Sequence, residues 1–140
     1  MATNRKARRL LGVVLLASAI AGCASQGVQK KVTAADASLL FGTWGGTVNP
    51  PGTTSTVPGT LTINPDGTYT TNAGAYSSAG KAEIKDGYLQ FFSTSGSAAL
   101  GAGDRNGSAV LMDRDTSWGL VGSGHASTGG PFNFDFSKKK

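Results

Sequence analysis

The chain has 140 residues, with thirteen lysines and arginines, eight acids, one histidine and one cysteine, for a formal charge of +5. Four of the basic residues (Arg5, Lys6, Arg8 and Arg9) stand in the first ten positions, so from residue 23 onward nine basic groups face eight acids and the balance falls to +1. A body so near neutrality lacks the electrostatic footprint of a nucleic-acid binder, and one cysteine excludes a disulfide framework and a thiolate metal site.

The first 22 residues read as an export leader. A basic head is followed by a short apolar run over residues 11–20, well below the ~18–20 residues a helix needs to cross a bilayer. Small residues then close the segment, the pattern of a cleaved secretory signal. The cut site carries more information than small residues alone. Ile20-Ala21-Gly22-Cys23 resembles the lipobox of bacterial lipoproteins. That resemblance implies cleavage before Cys23, a thioether-linked diacylglycerol on its sulfur, and a new amine open to acylation (the palmitate-type modification of such proteins). Two or more acyl chains hold a protein on a membrane stably where one holds it marginally. Arg8-Arg9 lacks the rest of a twin-arginine signal, so ordinary secretion is expected. Ala24 stands where an aspartate would imply retention in the inner membrane. The expected address is the cell envelope, lipid-anchored, and the outer membrane in a Gram-negative cell.

Cleavage leaves 118 residues, enough for one small domain. Residues 23–38, the lipidated cysteine and a polar, small-residue stretch, read as a flexible tether. The reach of the part between Cys23 and Ala37 is about 20 Å. Thr33 with Asp36 has the form of a capping box, which predicts a short helical turn over residues 34–40. Strand patterns occupy residues 39–137, and Lys138-Lys139-Lys140 forms a basic tail that is solvated or touches acidic headgroups.

Three glycine turns punctuate that region at intervals of twenty: Pro65-Asp66-Gly67, Asp86-Gly87 and Asn106-Gly107. Each sequence tolerates the positive φ of a tight hairpin, and the spacing predicts all three at one end of a meander. Strands are expected over 41–49, 56–64, 68–73, 80–85, 88–94, 98–105, 108–113, 117–125 and 132–137. Alternation supports them. Val57, Leu61 and Ile63 share one face, as do Ala82 with Ile84, Leu89 with Phe91, Val110 with Met112, Trp118 with Leu120, and Phe132, Phe134 and Phe136. Eight or nine antiparallel strands with one apolar face close into a barrel or fold into a sandwich; regular neighbour-to-neighbour turns favour an all-β, up-and-down barrel.

Gly42-Thr43-Trp44 at the start of the first long strand resembles the Gly-x-Trp signature of lipocalins and related calycin barrels. The resemblance implies a barrel whose tight turns lie at an end closed by the N-terminal turn, with looser loops at the mouth. Residues 50–55 and 74–79 fit such loops, and residues 95–97 and 114–116 complete the expected rim. The family's arginine that stacks across the tryptophan has no counterpart near the last strands, where the cationic candidates are His125 and Lys138. A calycin barrel implies an apolar ligand cup. By alternation its lining would be Trp44, Leu61, Tyr69, Phe91, Leu100, Met112 and Trp118. The same side chains fill a narrow eight-stranded barrel equally well, and inward Gly46, Gly59, Ala98, Ala102 and Gly122 fit either ligand space or tight strand curvature.

Catalytic patterns are missing. No serine has glycine at both −2 and +2, and Gly122-Ser123-Gly124-His125 has no evident acid partner. A metal site on His125 would need carboxylate partners, and Asp113 and Asp115 are the only close pair. Asp104, Asp113 and Asp115 sit among turns, without a cleft for glycosidic chemistry. The run from Gly101 to Asn106 lacks the last glycine of a dinucleotide loop. The expectation is a non-enzymatic, cofactor-free envelope lipoprotein. Its barrel would bind a small apolar ligand or, if filled, a protein partner through its outer face or edge.

Overall fold

Strictly alternating, β-branched and aromatic segments become strands here because one face of each has a core to enter. The computed structural model describes residues 27–96, 105–126 and 130–140. They form nine strands: β1 (Val28–Lys30), β2 (Gly42–Asn49), β3 (Val57–Ile63), β4 (Thr68–Ala73), β5 (Tyr76–Lys85), β6 (Tyr88–Gly96), β7 (Arg105–Asp113), β8 (Ser117–His125) and β9 (Pro131–Lys139). Between β1 and β2 a 3₁₀ turn (Ala34–Asp36) runs into a one-turn helix, α1 (Ala37–Leu40). Every strand from β2 to β9 pairs antiparallel with the next, and β9 returns to β2 from Gly45↔Ser137 to Asn49↔Asn133. Eight strands therefore close an up-and-down barrel. β1 is a ninth strand outside the ring. It pairs with β7 from Val28↔Asp113 to Lys30↔Leu111, in line with β6, whose own pairing with β7 begins at Leu89↔Ala109.

Eight strands leave an interior just wide enough for side chains to fill. Trp44, Val48, Leu61, Ile63, Tyr69, Leu89, Leu111, Leu120 and Phe136 are all buried there. Each such aliphatic or aromatic side chain contributes about 1.5–3 kcal/mol by leaving water.

The turns at Gly67 and Gly87 form as the sequence predicts, with φ of 82° and 87°, and Asp86 joins the second at φ 54°. Asn106-Gly107 does not turn. β7 runs straight through it, and Gly107 is buried in extended backbone beside Phe91 and Gly124. The turn expected between strands over 98–105 and 108–113 is thus absent, β7 running from Arg105 to Asp113; residues 98–104, including Leu100, Ala98 and Ala102, lie outside the described residues. Losing that hairpin reverses the direction of the later strands. Residues 114–116 now turn at the same end as Gly67 and Gly87, so they belong to the closed end and not to the rim. Residues 74–79 are no long loop either: Gly74-Ala75 makes a two-residue turn, with Gly74 at φ 62°, and Ala73 pairs directly with Tyr76. The expected tether is also shortened, because residues 28–40 belong to the fold.

That N-terminal segment closes one end of the barrel. The Asp36 carboxylate accepts hydrogen bonds from the Thr33 N–H (3.0 Å) and hydroxyl (2.8 Å), and pairs with Lys30. Leu40 is buried at the end of α1, and its carbonyl accepts the Trp44 indole N–H at 2.9 Å. From the last strand the Lys138 ammonium donates to the carbonyls of Leu39 and Phe41, and lies 4.7 Å from the centroid of the Trp44 ring. First strand, plug and last strand are joined at this point.

Candidate functional site

Of the residues expected to line a cup, the fold brings Leu61, Tyr69 and Phe91 together around the barrel's internal cavity, with Val48, Thr71, Ser78, Ser93, Gly107, Phe132, Phe134 and Phe136. The others go elsewhere. Trp44 is wholly buried against Leu40 and Lys138 at the closed end. Trp118 is half-buried at that same end, with Lys30 and Lys140 ammonium groups 5.7 and 4.9 Å from its ring centroid. Met112 lies on the outer face of β7. The strand places Ala109 and Leu111 inward, Leu111 directly opposite Leu120. Residues 109–112 are all apolar, so alternation there does not choose a face.

The cavity holds about 40 Å³. A water needs roughly 10–15 Å³ on this measure, whereas an engineered cavity that takes benzene is near 150 Å³. There is room for a few waters and no more. The space is taken by aromatic rings. Phe91 meets Tyr69 and Phe134 edge-on, at 5.0 and 5.8 Å between centroids, and Phe134 lies 5.6 Å from Phe136 and 6.4 Å from Phe132. All three phenylalanines of β9 point inward, not outward as an exposed patch would require.

Each of those rings faces a glycine across the sheet: Phe136↔Gly46, Phe134↔Gly122 and Phe132↔Gly124. A Cβ on Gly122 would come within 2.4 Å of the Phe134 ring, and one on Gly124 within 2.6 Å of the Phe132 ring. At Gly46 it would lie 2.0 Å from the Asp135 carbonyl oxygen, and at Gly59 2.9 Å from that of Asn72. The inward glycines therefore answer to close packing. They do not leave ligand space.

One polar feature interrupts this interior. The hydroxyls of Tyr69, Ser78 and Ser93 form a closed ring of hydrogen bonds: Tyr69 to Ser93 2.7 Å, Ser78 to Ser93 2.9 Å and Tyr69 to Ser78 3.1 Å. Three hydroxyl protons satisfy three bonds, so each buried donor is used and one acceptor position per oxygen faces the cavity or its neighbours. Ser93 was legible in the sequence, sharing the phase of Leu89 and Phe91 along β6. Ser78 was not, because it falls where a loop was expected. Outside the cavity, a broad open hollow of about 470 Å³ lies along β4, β5 and the end of β6, lined by Thr70, Asn72, Ser77, Ser95 and neighbouring residues.

The candidate catalytic groups stay apart. His125 ends β8 at the open end and is exposed, while Asp113 and Asp115 lie at the closed end. Lys140 bonds the Asp113 carboxylate at 2.6 Å and the Asp115 carbonyl at 3.3 Å. Ser123 faces outward from β8. Among the described residues no three His, Cys, Asp or Glu side chains are grouped to hold a metal, and no helix is long and apolar enough to cross a membrane.

The electrostatic centre of gravity is the closed end. The Lys30 partner and the Thr33 hydrogen bonds hold the Asp36 carboxyl down at about 2. Hydrogen bonds from the Thr68 hydroxyl and N–H lower Asp66 in the same sense. Burial pushes the Lys138 ammonium below the usual lysine range, and the two carbonyls and the Trp44 ring are what keep its proton in place. No family model, curated protein or solved structure matches this chain.

Proposed function

We propose that this is a bacterial envelope lipoprotein, acylated on Cys23, whose barrel is a filled, non-catalytic body acting through its surface on a protein partner in the envelope. The observation that carries the second half is the interior. A cavity of about 40 Å³, hemmed by Phe91, Phe132, Phe134 and Phe136, is far short of the several hundred Å³ of ordinary small-molecule sites. The first half rests on the basic leader and on Ile20-Ala21-Gly22-Cys23. The architecture resembles a lipocalin in its Gly42-Thr43-Trp44 opening and its N-terminal plug. Lys138 stacks across Trp44 in the part that family gives to arginine. The likeness supports the frame of that fold without its cup.

The hydroxyl ring of Tyr69, Ser78 and Ser93 favours a second reading. A small apolar molecule carrying one hydrogen-bond donor would be held there if the half-exposed Phe132 and Phe134 rings swung aside. Native mass spectrometry of protein extracted from its own membranes separates the two. The surface reading expects no bound small molecule and a co-purifying protein; a retained stoichiometric small molecule overturns it in favour of the cup.

A further inference from the structure

The ends of the barrel differ sharply in how many charged groups they carry. Lys30, Lys31, Lys85, Arg114, Lys138, Lys139 and Lys140 all lie at or beside the closed end, with Asp36, Asp66, Asp86, Asp113 and Asp115. Among the described residues the open end carries no lysine, aspartate or glutamate, and Arg105 at the start of β7 is its one arginine. Thr, Ser, Gly, Pro and Ala make up its connections over residues 50–56 and 74–75. Lys81, Glu83 and Asp135 lie between the two ends.

The chain also joins the barrel at the charged end. Gly27 packs on the main chain of Asp113 and the side chain of Arg114, and β1 climbs from there along β7. Only Ala24, Ser25 and Gln26 separate it from Cys23. Four steps of fully extended chain span no more than about 14 Å, roughly half the length of an eight-residue strand. A lipid on Cys23 therefore cannot leave the domain swinging free: one face must lie within reach of the headgroups.

Around that point the surface has the composition of an interfacial belt. Val28 is 74% exposed, the most exposed large apolar side chain among the described residues. Trp118 stands half-exposed between the ammonium groups of Lys30 and Lys140, and the Lys140 N–H bonds the Thr116 carbonyl, bringing the basic tail onto the same face. Tryptophan and lysine together suit the zone where acyl chains meet headgroups, and each basic group near an anionic surface adds to the attraction within a Debye length.

On the reading that Cys23 is acylated, we propose that this closed end, formed by Val28, Lys30, Lys31, Trp118, Lys139 and Lys140, rests on the membrane with its ammonium groups among anionic lipid headgroups. The open end, where Arg105 is the one charged residue among the described residues, then points away from the bilayer. The surface offered to a protein partner is the hydroxyl- and amide-rich rim and the hollow along β4–β6, and not the basic tail.

The test uses the mature acylated protein reconstituted into phosphatidylcholine vesicles with and without phosphatidylglycerol. Cys23 is the only cysteine and its sulfur is consumed by the lipid, so a thiol introduced by Thr116→Cys (closed end) or Thr54→Cys (open end) takes a single fluorophore. A headgroup nitroxide should quench the residue-116 label severalfold more than the residue-54 label. The excess should shrink in phosphatidylcholine alone, in high salt, and in the Lys31→Glu/Lys139→Glu variant, whose sites are exposed. Equal quenching of the two labels, or an excess indifferent to lipid charge and salt, overturns the docking while leaving the anchor intact. Intact mass on the same sample tests the anchor separately, and a bare Cys23 overturns both.

Discussion

Phe132 and Gly124 offer the sharpest test of a barrel closed by cross-strand aromatic–glycine pairs. A Cβ at Gly124 would stand 2.6 Å from the Phe132 ring and 3.0 Å from the Gly107 Cα, and Gly124 does not use a positive φ. Gly124→Ala alone must displace the ring, an overpacking cost of about 1–3 kcal/mol. Phe132→Ala alone forfeits the burial of a half-exposed ring, about 1.5–2.5 kcal/mol, below the range for a fully buried one. Once the ring is gone, only the Gly107 contact resists the new methyl. The alanine also restricts the unfolded chain, a gain of about 0.4–1 kcal/mol. Gly124→Ala should therefore be near neutral or slightly stabilising in the Phe132→Ala background. The coupling between the two sites comes to about 2 kcal/mol, well outside the ~0.3–0.5 kcal/mol scatter of additive pairs. Urea unfolding of the four proteins, followed by the fluorescence of buried Trp44, measures it. If Gly124→Ala costs the same in both backgrounds, the glycine is not there to admit the ring, and the packing explanation of the inward glycines fails.

Lys138→Met strips the donor from the Leu39 and Phe41 carbonyls and the cation from Trp44, and should lower stability by about 2–4 kcal/mol, whereas Lys138→Arg should stay within about 1 kcal/mol of wild type; equilibrium denaturation distinguishes them. Leu111→Ala, at a site with no exposure and opposite Leu120, should cost about 2–5 kcal/mol, while Met112→Ala on the outer face should cost markedly less. The carboxyl of Asp36 sits at about 2 when folded against 3.8 otherwise, so the unfolded chain binds more protons between those values. Its contribution is complete above about pH 4 and is lost as pH falls toward 2. Asp66 acts in the same direction. Asp36→Asn should flatten the stability profile across that window and leave its shape above pH 5 unchanged, as read by denaturation at a series of pH values.

The residues that betray this fold are those where local chemistry and tertiary demand agree. Pro65-Asp66-Gly67 and Asp86-Gly87 ask for positive φ and receive it, and Leu61, Ile63, Leu89, Phe91 and Phe136 follow strict alternation into the core. Asn106-Gly107 misleads because the same dipeptide serves a different need. Its glycine lies buried in extended backbone, paired with Phe91 and Gly124, where a Cβ would meet nothing closer than 3.4 Å and no turn is made. A run such as Ala109 to Met112 carries no face signal at all, so the cross-strand register decides which members enter. The plug was half visible: the Thr33/Asp36 pairing announces a turn, but Lys138 reaching two carbonyls nearly a hundred residues earlier is a product of closure alone. The hydroxyl ring is of the same kind, since Tyr69, Ser78 and Ser93 come from three strands and meet only once the sheet has curved.

The anchor is the premise on which address and orientation stand, and it can be weighed. Intact mass spectrometry of protein taken from the membranes of its own host should give a chain starting at Cys23, heavier than the bare polypeptide by a diacylglyceryl group or by that group and an amide-linked acyl chain. A mass that retains residues 1–22, or a chain beginning at an unmodified Cys23, contradicts it.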